Sequence, residues 1–149
     1  MLKLRNNDAT EENILKIIRH IKDIETKRGL TESEIEHKYT YGYCSSLVEI
    51  VQHFLPECKS ILFWGYDEDV VHFCVGVKCQ AKSNIHEDLD YYDINGKKSY
   101  DEMVEWMAKE FNGKIEGIFV QEMEVSRSNE IQDEAYSTIC IEKENVQML

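Results

Sequence analysis

The chain predicts an α+β fold in which helices come first and pack on an antiparallel sheet that carries one inserted helix. Three observations lead there. Isoleucines recur at three- and four-residue steps between Ile14 and Ile24, the period of a one-sided helix. Valine-, isoleucine- and aromatic-rich runs of strand length follow after residue 59. The 149 residues contain one proline and seven glycines, without a linker, repeat or low-complexity stretch, so residues 1–149 are expected to form a single domain.

The elements follow in order. Asp8 or Thr10 can cap a first helix running to Lys27 or Arg28, with Ile14, Ile17, Ile18, Ile21 and Ile24 on its apolar face and Gly29 at its end. Thr31 to Glu34 has the spacing of a capping box, opening a short, mostly polar helix through about His37. Tyr39 to Tyr43 interrupts, and from Cys44 the helical period resumes through Leu47, Val48, Val51, Phe54 and Leu55 until Pro56 stops it. Cys44, Ser45 or Ser46 therefore lies in a first helical turn.

Strands are expected over 60–66 and 70–78, with Asp67-Glu68-Asp69 as the hairpin turn between them. In the second strand Val71, Phe73, Val75 and Val77 point one way, and His72, Cys74, Gly76 and Lys78 the other. A polar loop over 81–88 leads to a short strand from Leu89 to Ile94, closed by Asn95-Gly96. Ser99 can cap a helix through Phe111 with Met103, Val104, Trp106 and Met107 inward and Asn112-Gly113 as its C-cap. Strands over 115–123 and 136–142 complete the sheet, with a long turn or short helix between them.

Composition narrows the function classes. Hydrophobic residues make up 42% and charged residues 31%, as in ordinary globular proteins. Neither the start of the chain nor any later run has the apolar length of a signal peptide or membrane span, so a cytoplasmic protein is expected. Five cysteines without a signal peptide fit reduced thiols, and Cys74 and Cys140 sit in apolar runs as small hydrophobes. The net charge of −12, from 29 acidic and 17 basic residues, repels phosphates and acidic lipid surfaces. No nucleic acid and no membrane is expected as a direct partner; a protein or peptide, and in particular a basic one, is.

The residues that suggest chemistry are Cys44, His72 and Asp93. A thiol acts as a nucleophile in its thiolate form, and the unpaired N–H groups of a helix N-terminus favour that form. They also stabilise an oxyanion when the thiolate attacks an acyl carbon. His72, near the start of a strand, is placed to serve as base and then acid. Asp93 would accept the imidazole's other N–H and fix its tautomer, with Asn95, two positions on and on the same side, as the reserve.

The pieces Gly42-Tyr43-Cys44, His72-Phe73-Cys74-Val75-Gly76-Val77 and Tyr91-Tyr92-Asp93-Ile94-Asn95-Gly96 resemble the papain-like cysteine peptidase fold, most closely its small bacterial and viral versions. The resemblance spans roughly Tyr41 to Trp106. It implies a Cys-His-Asp thiol hydrolase or acyltransferase acting on an amide or thioester, with Cys44 as nucleophile. Papain-like enzymes usually carry a Gln or Asn shortly before the cysteine as an oxyanion donor. None occurs between Thr31 and Cys44, where Thr40 or a tyrosine hydroxyl would have to substitute.

Other patterns carry less. Asp93 to Glu102 matches the later positions of a calcium loop, but Tyr91 replaces the essential first carboxylate and a strand precedes it. His72, Cys74, Cys79 and His86 have no standard zinc spacing. No metal and no cofactor is expected. Two readings stand: a papain-like thiol enzyme, and a non-catalytic acidic binding or inhibitor protein of the phage- or mobile-element type whose negative face engages a basic host protein.

Overall fold

A computed structural model of the protein describes residues 1–65, 71–78, 89–111 and 117–142. The expected Asp67-Glu68-Asp69 turn, the 81–88 loop and the Asn112-Gly113 cap lie outside the described residues, as do Cys79 and His86.

The element order is β1 (Leu2–Leu4), α1 (Glu11–Lys27), α2 (Glu32–Thr40), α3 (Cys44–Phe54), β2 (Lys59–Gly65), β3 (Val71–Lys78), β4 (Leu89–Asp93), β5 (Gly96–Lys98), α4 (Tyr100–Glu110), β6 (Ile118–Glu122), α5 (Glu130–Thr138) and β7 (Ile139–Ile141). The main sheet is antiparallel, in the order β5-β4-β3-β2-β6. The chain is thus α+β, with helices at its start and α4 inserted between strands.

The caps follow the sequence chemistry. Thr10 accepts from the N–H of Asn13, and Thr31 and Ser99 each form a complete capping box, with Glu34 and Glu102. Gly29, at φ +96°, ends α1 in the left-handed region, so that its N–H reaches the Thr26 carbonyl and Leu30 N–H reaches Glu25.

Two cores flank the sheet. The larger one gathers the apolar faces of α1, α2, α3 and α5 against Val75, Tyr92 and Ile94. The smaller one packs Met103, Val104 and Met107 of α4 on Ile61, Phe63, Cys74 and Tyr91. Strand alternation places Phe73, Val75 and Val77 toward the first core and Cys74 toward the second, as the period-two pattern requires. His72 and Asp93, two positions from Cys74 and Tyr91 respectively, consequently share the α4 side.

Four details differ from the sequence reading. α2 runs to Thr40 rather than to about His37, so Tyr39 and Thr40 are helical and not part of the interruption. β1, too short to show a period, pairs in parallel with β7, Leu2 opposite Ile139. β5 adds a third hairpin strand after Asn95-Gly96, with Tyr91 opposite Lys98. The expected strand over 136–142 begins only at Ile139, because α5 extends to Thr138. Tyr136 belongs to that helix, stacked on His53 at 4.1 Å between ring centroids.

Candidate active site

α3 starts at Cys44. Its N-cap, Tyr43, contributes no side-chain hydrogen bond, so no capping side chain competes for the backbone N–H groups of the first turn. α3 packs its apolar face in the larger core, and β3 runs beside it. β4 pairs with β3 only over Val75–Lys78, and the earlier part of β3 is where the first turn of α3 meets the strand. The backbone N–H groups of Phe73 and Ser45 both act on the Cys44 sulfur.

His72 and Asp93 are diagonal neighbours on one face of the sheet. His72 Nε2 lies 3.1 Å from Asp93 Oδ2. With Nε2 on Asp93, the nitrogen left for the thiol is Nδ1, which is buried and closes no hydrogen bond of regular geometry. Cys44 and His72 nonetheless shift one another in opposite directions. Burial alone would raise the Cys44 thiol, but the His72 imidazole and the two backbone N–H groups outweigh it and hold the thiol below its ordinary value. Burial alone would lower His72, but Asp93 and Cys44 together push it up to about 9. A thiol shifted down and an imidazole shifted up mean that each group favours the charged form of the other.

Two other buried cysteines show what burial does without such a partner. It pushes Cys58 up to about 12, and raises Cys74 well above the usual thiol range. Cys74 behaves as the small core hydrophobe its strand position suggests, with its thiol directed to the Ile61 carbonyl.

Asp93 is 2% exposed. Burial pushes its carboxyl up, but His72 and Lys98 hold it below its ordinary value. Its Oδ1 accepts from the Asn95 backbone N–H at 2.9 Å and from Lys98 Nζ at 3.0 Å, and Lys98 Nζ lies 3.2 Å from Oδ2. Asn95 thus serves Asp93 through its main chain. It also lines a cleft of about 230 Å³ with Lys22, Glu36 and Ile94. The structure therefore brings Cys44, His72 and Asp93 together and gives the orienting contact to Asp93.

Several contributors were not read from the sequence. Lys98 Nζ sits 4.8 Å over the Trp106 ring, and Trp106 lies 4.9 Å from the His72 ring. Trp106 is inward, as its helical position predicts, but it faces the imidazole as well as the core. The Asn95-Gly96 signal could have found Lys98, because a tight hairpin there puts residue 98 on the face of Asp93. Farther along, Arg127 Nε donates to Ser45 Oγ at 3.2 Å and Asn129 Nδ2 to Ser46 Oγ at 2.6 Å, clamping the first turn of α3. No local sequence signal links positions so far apart.

No protein-family model matches the chain, and no curated protein or solved structure shows significant similarity to it.

Proposed function

We propose that the protein is a papain-like thiol hydrolase or acyltransferase acting on an amide or thioester bond, with Cys44 as nucleophile, His72 as base and acid, and Asp93 as the orienting carboxylate. The observation that carries this reading is the opposed shift of Cys44 and His72, with His72 held by Asp93 at 3.1 Å.

In the reaction, the Cys44 thiolate adds to the acyl carbon. The oxyanion formed there is held by N–H groups of the α3 N-terminus. The carbon–nitrogen or carbon–sulfur bond then breaks, and the His72 imidazolium gives its proton to the departing amine or thiol. Neutral His72 next takes a proton from water, or from an acceptor amine, as that group attacks the thioester. Its collapse returns the Cys44 thiolate and leaves the proton on His72. Asp93 stays ionised throughout and stabilises the imidazolium.

A second reading, an acidic binding protein, draws support from the net charge of −12 and from the burial of the site, in which Cys44 is 8% and His72 0% exposed. It predicts a complex with a basic protein that weakens as salt rises.

The deciding measurement is alkylation of Cys44 by iodoacetamide at neutral pH, followed site by site by mass spectrometry. The thiol reading expects Cys44 to react faster than half-buried Cys140, and His72→Ala to slow it about a hundredfold. A Cys44 rate no faster than that of Cys140, and untouched by His72→Ala, removes the thiol reading.

A further inference from the structure

We infer that Lys98 is a positioning residue of this site: its ammonium keeps Asp93 charged and aimed at His72, under a lid formed by Trp106. The inference rests on the thiol reading above. Its ground is geometric. Lys98 Nζ contacts both Asp93 oxygens, at 3.0 and 3.2 Å, while Oδ2 also meets His72 Nε2 at 3.1 Å. Its side chain is only 13% exposed, and its charge lies over the Trp106 ring, which is itself against His72.

Taking a carboxylate out of water costs several kcal/mol unless its lone pairs are satisfied by charged partners. One imidazole supplies a single donor and a charge that comes and goes as the proton is transferred. Whenever His72 is neutral in the cycle, Asp93 would be a buried anion without a cation, and would take up a proton itself. A protonated Asp93 no longer favours the imidazolium, so the thiolate loses its counter-ion. Lys98 supplies a charge that does not leave.

The groups facing this ammonium from each packed element set the sign of the effect. Asp93 lies on β4; His72 and Cys74 lie on β3 and Cys44 on α3. Trp106 and Glu102 come from α4, and Glu102 is stabilised as an anion partly by Lys98. With Lys98 present, Cys44, His72, Asp93 and Lys98 sum to zero charge in the ion-pair state. Removing the lysine charge leaves the same buried set at −1, which raises the affinity of the thiolate for a proton. The cation thereby widens, toward acid pH, the range in which Cys44 is a thiolate.

The test is the pH profile of Cys44 alkylation by iodoacetamide in the full chain. Lys98→Met should move the acid limb of the profile upward by about one pH unit, a tenfold slower reaction at the original midpoint. Lys98→Gln, which keeps an N–H donor but not the charge, should give the same shift and serves where the methionine variant does not fold. Lys98→Arg should restore the original limb. A role in packing alone would slow alkylation evenly at every pH and leave the limb in place. An unmoved limb in Lys98→Met and Lys98→Gln, with His72→Ala still strongly slowed, overturns the inference and spares the thiol reading. Insensitivity to His72→Ala overturns the thiol reading itself.

Discussion

Two buried carboxylates anchor this molecule, and they are used in opposite ways. Glu25, 0% exposed on α1, accepts from the Tyr39 hydroxyl at 2.9 Å and from Lys38 Nζ at 2.6 Å, with Arg28 Nη1 at 3.8 Å. Asp93 accepts from His72, Lys98 and the Asn95 main chain. Both lie beside cations, as buried charges must, although Glu25 Oε1 closes no hydrogen bond and has only Arg28 Nη1 at 3.8 Å. The difference lies in whether the partners can change state near neutral pH. Lysine and arginine keep their protons, and burial beside Glu25 pushes the Tyr39 hydroxyl upward, away from ionisation. That cluster is a static tie between α1 and α2. Around Asp93, one partner is an imidazole beside a thiol, and in the proposed reaction a proton would move there while Lys98 still supports the carboxylate. A buried carboxylate becomes part of a reactive line only when a titrating group stands between it and a nucleophile.

The comparison can be broken most forcefully by exchanging the readouts. His72→Ala should slow Cys44 alkylation about a hundredfold at neutral pH. Glu25→Ala should leave that rate within about twofold. Equal slowing by both would show that the two clusters are not separate. Next in size, Glu25→Ala should cost about 3 kcal/mol of stability, because it takes the carboxylate from Lys38 and the hydrogen-bond acceptor from buried Tyr39, while Arg28 keeps Glu134 at 2.7 Å. In a thermal melt that is about a 6–12 °C loss.

A third, smaller effect is visible only against pH. Asp93 is depressed in the folded protein, so its contribution is complete above the unfolded value of 3.8 and is lost as pH falls through the folded value. The melting-temperature gap between the protein and Asp93→Asn should therefore be widest above pH 4 and close as acid is added. A gap constant down to pH 2 would mean the variant acts through packing alone. Smaller again, Tyr39→Phe should cost about 1.5 kcal/mol by removing one hydrogen bond to a charged group. Smallest is Ser99→Ala, at about 1 kcal/mol from the lost cap of α4. If the α4 cap also steadies Trp106 over His72, Ser99→Ala will lower Cys44 alkylation as well, which Tyr39→Phe should not.

How much of this was legible in the sequence depends on the range over which each residue is determined. The isoleucine stripe, the capping box at Thr31, the cap at Ser99 and the helix beginning at Cys44 are local patterns, and the structure contains each of them. The sidedness of β3 was equally readable, but the face His72 shares with Asp93 follows from the register of β3 on β4, Val75 opposite Tyr92, which no local pattern sets. β1 and β5 have three residues each, too few to display alternation, so only their partners define them. Tyr136 was misplaced into a strand because aromatic and β-branched residues around it mimic one; its ring is instead helical and packed on His53 and Phe54. Lys98 escaped notice because a lysine beside another lysine on a short segment reads as a solvated charge. Its role comes from the hairpin that folds it back onto Asp93. Arg127 and Asn129 lie beyond any local inference, since nothing near them in the chain refers to Ser45 or Ser46.

That last contact orders events in time. The turn that carries Cys44 is pinned by side chains more than eighty positions later, and Gln132 in turn holds the Arg127 carbonyl at 2.8 Å. On a ribosome, Cys44, His72 and Asp93 all emerge before the clamp exists. Pairing across such a sequence distance forms late, because the intervening loop must be closed first. The nascent chain therefore passes through a stage in which the thiol has its neighbours but its helix start is loose. Alkylation of stalled chains whose C-terminal linkers are too short or long enough to bring residue 132 out of the ribosomal tunnel would register the moment the clamp closes as a step in Cys44 reactivity.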